Sequence, residues 1–168
     1  MKKQEKFLNW KGEGRMIRHV IFDIGNVLVT FQPQSYFYPV FKEKTTQLCT
    51  AVFASEEWTL YDQGLLTKEE VSFRLINAYP MEKESILYIL KEWKKFMRAI
   101  LSMKQLMENL KKKGYTIYLL SNISEDSFMY LKKKYPYFFD VDGGVYSYEI
   151  HVNKPDIKIY ETLLSRYQ

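Results

Sequence analysis

RHVIFDIGN, residues 18–26, is an apolar run that ends on an aspartate and breaks at Gly25 and Asn26. Such a run reads as a buried β-strand entering a turn, with Asp23 at its carboxyl end. Two further strands follow from the same signals: TIYLLSN at 116–122 and GVYSY at 144–148. A helix is predicted before the second strand, opening at a capping box from Ser102 to Gln105, aligning Leu106 and Leu110, and closing at Gly114. Another is predicted over about 125–134, ended by Pro136, and a last one from Pro155 with Ile159, Tyr160, Leu163, Leu164 and Tyr167. Strands alternating with helices predict an α/β fold with a parallel sheet. In such sheets ligands bind at the carboxyl ends of the strands. Asp23, Ser121 and Asn122 are placed there, and Lys154 begins the segment that enters the last helix.

Between the first two strands the sequence reads as helical. Thr67 to Glu70 is a capping box that opens a helix carrying Val71, Leu75 and Tyr79, and Pro80 stops it. Ile86, Leu90, Trp93 and Met97 follow at spacings that form one apolar stripe. An insertion of this length exceeds a simple crossover. Residues 31–100 are therefore expected to form a helical cap over the strand ends, with 16–30 and 101–168 as the core and 1–15 as an N-terminal appendage.

The 168 residues are 46% hydrophobic, enough for one domain with a sizeable core. No apolar stretch approaches the roughly 20 residues a membrane span requires, and the N-terminus lacks a secretory apolar region, so a cytoplasmic location without membrane contact is expected. A single cysteine, Cys49, excludes an internal disulfide framework, and two scattered histidines, His19 and His151, read as structural. The net charge of +5 raises nucleic acid as a partner, but the lysine runs at 111–113 and 132–134 close predicted helices, where they complement the helix dipole. No nucleic-acid partner is expected.

VIFDIGNVLV at 20–29, LLSN at 119–122 and FFDVDGGVYSYEIHVNKPDIKIYETLL at 138–164 resemble the first three motifs of the haloacid dehalogenase (HAD)-like hydrolase superfamily, and EEWTLYDQGLLTKEEV resembles its helical-cap, subfamily IA-like phosphatase branch. The similarity runs from about Met16 to Tyr167. It implies a Rossmann-like core and a magnesium-dependent phosphatase of small phosphorylated metabolites. Asp23 would be the nucleophile that forms an aspartyl-phosphate. Ser121 and the backbone N–H of Asn122 would bind the phosphate, and Lys154 would offset the charge of both aspartate and phosphate. Asp23 and the carbonyl of Gly25 would hold Mg2+.

Two departures bear on activity. Where the family carries a second aspartate as general acid and base, this chain has Gly25, which transfers no proton. The family's later strand with acidic metal ligands is not found before Gln168, so the C-terminally truncated core is expected to bind magnesium poorly and to leave the first strand with an unpaired edge, open to homo-oligomer formation. The alternatives are an inactive HAD-like fragment or anion-binding protein, and a haloacid dehalogenase, which uses an aspartate nucleophile without magnesium. The aromatic residues Phe31, Tyr36, Phe37 and Tyr38 either line an entrance or pack cap against core.

Overall fold

The computed structural model describes residues 17–167. The proposed appendage, residues 1–15, lies outside the described residues. Three strands form: β1 (His19–Phe22), β2 (Thr116–Ser121) and β3 (Gly143–Tyr146). They make one parallel sheet in the order β1-β2-β3, with Val20 opposite Ile117 and Leu120 opposite Val145. Alternation along β2 sends its side chains to two cores. Ile117 and Leu119 join the larger one, while Tyr118 and Leu120 pack with Val145, Ile159 and Leu163 on the other face.

β1 is less buried than its composition predicts. His19 is exposed and Ile21 is 49% exposed, because β1 is the edge of the sheet among the described residues. Phe22 and the central strand β2 meet the expectation of burial.

Six α-helices separate β1 from β2, and the first five are α1 (Pro33–Phe41), α2 (Thr45–Phe53), α3 (Glu56–Asp62), α4 (Lys68–Ala78) and α5 (Lys83–Glu92). The capping box opens α4, with Thr67 and Glu70 each bonding the other's backbone N–H, and Val71 and Leu75 are buried while Tyr79 remains exposed. Ile86, Leu90, Trp93 and Met97 are all buried. Each large apolar side chain removed from water contributes about 1.5–3 kcal/mol, so this stripe fixes α5 and the turn after it. Cys49 is buried within the same core.

The remaining helices are α6 (Leu101–Lys112), α7 (Glu125–Lys134), the short α8 (Ser147–Ile150) and α9 (Ile157–Arg166). Three details differ from the sequence expectation. α6 starts at Leu101 with no side-chain cap, and it buries Met107 while Leu106 is 44% exposed; Met103, Met107 and Leu110, four and three residues apart, share the inward face. Ser147 and Tyr148 fold into α8 and not into β3. α9 begins after Pro155, since Asp156 caps it by accepting from the N–H of Lys158 at 2.9 Å, and Tyr160 and Leu164 stay exposed. Tyr167 anchors its end: the hydroxyl accepts from Gly144 N–H at 3.0 Å, and its ring lies where a Cβ on Gly143 would stand, 2.4 Å away. Any larger residue at 143 displaces that ring.

Candidate active site

Asp23 leaves the end of β1 with both carboxylate oxygens engaged. Oδ1 accepts from the N–H of Ile24 at 2.7 Å and from Ser121 Oγ at 2.8 Å, at the end of the neighbouring strand. Oδ2 lies 2.6 Å from Lys154 Nζ. The carboxylate is still open: the Asp23 side chain is 39% exposed and that of Lys154 is 20% exposed. Three residues far apart in sequence therefore meet at the carboxyl ends of the strands.

The side chain of Asn122 has a part of its own, besides the backbone role its position suggests. Its side chain accepts from Lys154 N–H at 2.7 Å and donates to Lys154 C=O at 3.0 Å, so it grips the lysine's backbone on both sides. Lys154 Nζ also donates to Leu120 C=O at 3.0 Å. These bonds fix the ammonium beside Asp23, and the peptide that follows it, to Pro155, is cis.

The loop after Asp23 is ordered by its own turn chemistry. Leu28 and Val29 donate to Ile24 C=O at 2.9 and 3.0 Å, and Asn26 N–H donates to Val29 C=O at 2.7 Å. Asn26 has a positive φ of 56°, a conformation asparagine tolerates, and its side chain accepts from Phe31 N–H at 2.7 Å. Gly25 sits here with no heavy atom within 4 Å of a Cβ built on it. Its carbonyl and Asp23 would supply only two oxygens to a magnesium ion, which prefers six. No group of three or more His, Cys, Asp or Glu side chains suited to a metal occurs among the described residues. Asp156 is used as the cap of α9 and Asp126 is held by partners in another contact. The described donor set does not fit a complete magnesium site.

A cavity of about 250 Å³ opens beside these strand ends, with Gly25, Ser121 and Asn122 on one side. Its other wall is apolar: Phe31, Phe53, Trp58, Trp93 and Met97. The rings pack edge to face, with Phe53 and Trp58 centroids 4.7 Å apart and Trp58 and Trp93 4.9 Å apart, which makes the wall rigid. Of the expected aromatic cluster, Phe31 lines this cavity; Tyr36 and Phe37 pack into the core, and Tyr38 is exposed.

Comparison with known proteins is consistent with this architecture. No protein-family model matches the chain. A HAD family enzyme from Bacteroides thetaiotaomicron superposes with a TM-score of 0.68 at 21% identity, covering 90% of this chain and 79% of that one. Its complex with magnesium and inorganic phosphate superposes at 0.67 with 19% identity, over the same shares of the two chains. The fold is that of the HAD superfamily. An L-2-haloacid dehalogenase from Xanthobacter autotrophicus, with chloropropionic acid covalently bound, shares it at a TM-score of 0.60 and 16% identity, over 90% of this chain and 65% of the other. In sequence, the chain is 24% identical over 147 residues to a sesquiterpene phosphatase of Aspergillus oryzae, covering 87% of this chain and 72% of the relative.

Within this HAD-like fold, α3 brings one side chain to the cavity that motif spacing did not single out: Asp62. The end of α3 is held by residues from around β3. Ser147 Oγ donates to Asp62 C=O, His151 Nδ1–H donates to Gln63 C=O at 2.7 Å and Asn153 Nδ2 donates to Thr59 C=O at 3.2 Å. Gly64, with φ of +67°, completes the contact, since a Cβ there would stand 2.8 Å from Tyr148 C=O. Burial pushes the Asp62 carboxyl up to about 7; Asp126 nearby adds to the rise, and the Ser124 backbone N–H opposes it. Asp126 itself sits at the start of α7 and bonds Tyr61 and Lys94. Burial raises its carboxyl, but those bonds outweigh burial and hold it below the ordinary range, and Tyr61 is pushed up by burial and by Asp126. The sequence carries only a weak signal for Asp62: a carboxylate closing a helix whose tryptophan and tyrosine face inward.

Proposed function

We propose that the chain is a phosphomonoester hydrolase acting through an aspartyl-phosphate on Asp23. The convergence of Asp23, Ser121 and Lys154 carries this reading. Asp23 attacks phosphorus and the bond to the alcohol oxygen breaks, so the phosphoryl group passes to Asp23; water then attacks it, releasing inorganic phosphate and the free carboxylate. Ser121 donates to a phosphoryl oxygen. The Lys154 ammonium, held by Asn122, offsets the charge that accumulates as two anions meet. Asn122 thus acts through Lys154, with its backbone N–H available to the phosphate.

Residues 31–100 serve as the cap over this site and select the substrate. The aromatic wall supports a small phosphate ester whose alcohol is apolar, and similarity to a sesquiterpene phosphatase supports the same class. A HAD family enzyme of the same fold is crystallised with magnesium and inorganic phosphate, but the two oxygens offered by Asp23 and Gly25 support only weak magnesium binding here.

The test is release of phosphate from 4-nitrophenyl phosphate and hexyl phosphate, and of chloride from 2-chloropropionate, each with magnesium and with a chelator. Slow phosphate release that Asp23→Asn abolishes is the expected result. Chloride release without phosphate release makes the chain a dehalogenase, the chemistry of its Xanthobacter neighbour. Binding of inorganic phosphate without turnover of any substrate leaves an anion-binding protein.

A further inference from the structure

Proton transfer is the part of this chemistry that the strand ends leave unassigned. An alkyl phosphate has a poor leaving group, because an alkoxide is too basic to depart without a proton. Gly25 supplies none, and Ser121 and Lys154 already bond Asp23. Among the described residues that line the cavity, Asp62 is the one carboxyl, and no basic side chain stands with it on that wall. It lines the same cavity as Gly25, Ser121 and Asn122, and it closes a helix whose last turn is fixed by Ser147, His151 and Asn153. The carboxyl is therefore positioned by the core although it belongs to the helical segment.

We propose that Asp62 is the general acid and base of the hydrolysis, giving its proton to the departing alcohol and taking one from the attacking water. This rests on the phosphatase reading of Asp23. In the first step the phosphorus–oxygen bond to the alcohol breaks, the Asp62 proton goes to that oxygen, and the products are the free alcohol, phospho-Asp23 and the Asp62 carboxylate. In the second, water adds to phosphorus, its proton returns to Asp62, and the bond from phosphorus to Asp23 breaks. The balance closes with water as the sole co-reactant.

The surroundings suit both roles. Desolvation and the neighbouring Asp126 charge favour the protonated form of Asp62 up to near neutral pH, while Lys94 and the Tyr61 hydroxyl are committed to Asp126, so no cation among the described residues pairs with Asp62. The competing account is structural: the backbone N–H of Ser124, the residue that begins α7, favours the Asp62 carboxylate and would tie it to that helix. Asparagine separates the two, since Asp62→Asn keeps an acceptor of the same size at Ser124 and has no proton to give.

The experiment compares kcat/KM of the unmutated chain and Asp62→Asn on hexyl phosphate and 4-nitrophenyl phosphate across pH. This ratio reports formation of phospho-Asp23 alone, and nitrophenolate leaves without a proton. The expected result is a loss of about 10²-fold or more on hexyl phosphate with little change on 4-nitrophenyl phosphate. The unmutated chain's hexyl phosphate profile should fall above a pH of about 7, and that limb should be missing from the variant. Turnover of 4-nitrophenyl phosphate by the variant should slow at the second step, so that phospho-Asp23 accumulates and is seen by intact mass. Equal loss on both esters, or loss on neither, overturns the assignment of Asp62 while the phosphatase reading stands. If the unmutated chain turns over neither ester, the phosphatase reading itself fails and the assignment falls with it.

Discussion

The protonation of Asp62 makes a prediction about stability that needs no turnover. In the unfolded chain this carboxyl titrates at its ordinary value near 3.8, and in the folded protein burial moves it to about 7. The folded state therefore keeps a proton that the unfolded state has lost between those two values. By linkage, the stability associated with neutral Asp62 is fully present below a pH of about 3.8, declines as pH rises, and is gone above about 7, where folding must bury the charged form. The interval corresponds to about 4 kcal/mol as an upper bound. Water entering the cavity returns part of the carboxylate's hydration, so roughly 2 kcal/mol is the working figure. Asp62→Asn removes the titration, and its gain over the unmutated chain should be near zero at pH 4, grow through pH 5 and 6, and level off above pH 7. Urea unfolding of both proteins at matched pH measures the difference, and every other titrating group cancels. A difference that stays constant from pH 4 to 8 would show that Asp62 is solvated, and the reasoning about its proton would be wrong.

Other perturbations test the remaining parts of the site. Gly25→Asp should fold normally because its Cβ meets open space, and placed in the Asp62→Asn background it should recover part of the about 10²-fold loss on hexyl phosphate, measured as released phosphate. Asn122→Ala removes both bonds to the Lys154 backbone and should weaken inorganic phosphate binding about tenfold by calorimetry, the equivalent of one net hydrogen bond to a charged group. Lys94→Met breaks the pair with Asp126; because both side chains are partly exposed the stability loss should be small, about 1 kcal/mol, but hydrogen exchange in α3 and at the start of α7 should quicken. The edge of β1 carries exposed Ile21, so sedimentation should show concentration-dependent association that Ile21→Lys abolishes; a monomer at all concentrations refutes pairing along that edge.

The sequence was most legible where a single physical rule governs the outcome. Apolar runs closed by turn residues located all three strands, and the Thr67 capping box formed because both partners are exposed and free to bond each other's backbone. The Ser102–Gln105 pattern has the same form but lies inside α6, where Ile100 takes the cap position and the helix starts two residues earlier than a Ser102 cap would set it. At the site, Asp23 and Ser121 were readable from their places at the ends of neighbouring parallel strands, whereas Lys154 was readable through the resemblance of its Lys154-Pro155-Asp156 context to the family's motif. The part of Asn122 was half readable: its place beside the site follows from the sequence, but the direction of its side chain depends on how the segment before Pro155 returns to β2. Asp62 was not singled out, because its significance comes from burial against residues far away in the chain, and no local periodicity encodes that.

Gly25 and Asp62 are best understood together. A proton donor two residues after the nucleophile would be fixed to the sheet by the same short loop, with Asn26 and Val29 holding it whatever the helical segment did. A donor on α3 is instead in place only while α3 is seated on Ser147, Tyr148, His151 and Asn153. On the proposed mechanism the nucleophile and phosphate ligands lie at the strand ends, whereas the acid and the apolar wall of Phe53, Trp58 and Trp93 belong to the helical segment. The proton and the surface that recognises the alcohol therefore arrive on one body. An ester that fails to hold that body against the strand ends forfeits acid catalysis as well as binding, so selectivity for apolar alcohols should appear in kcat as well as in KM, which is the mark of binding energy used to assemble the site.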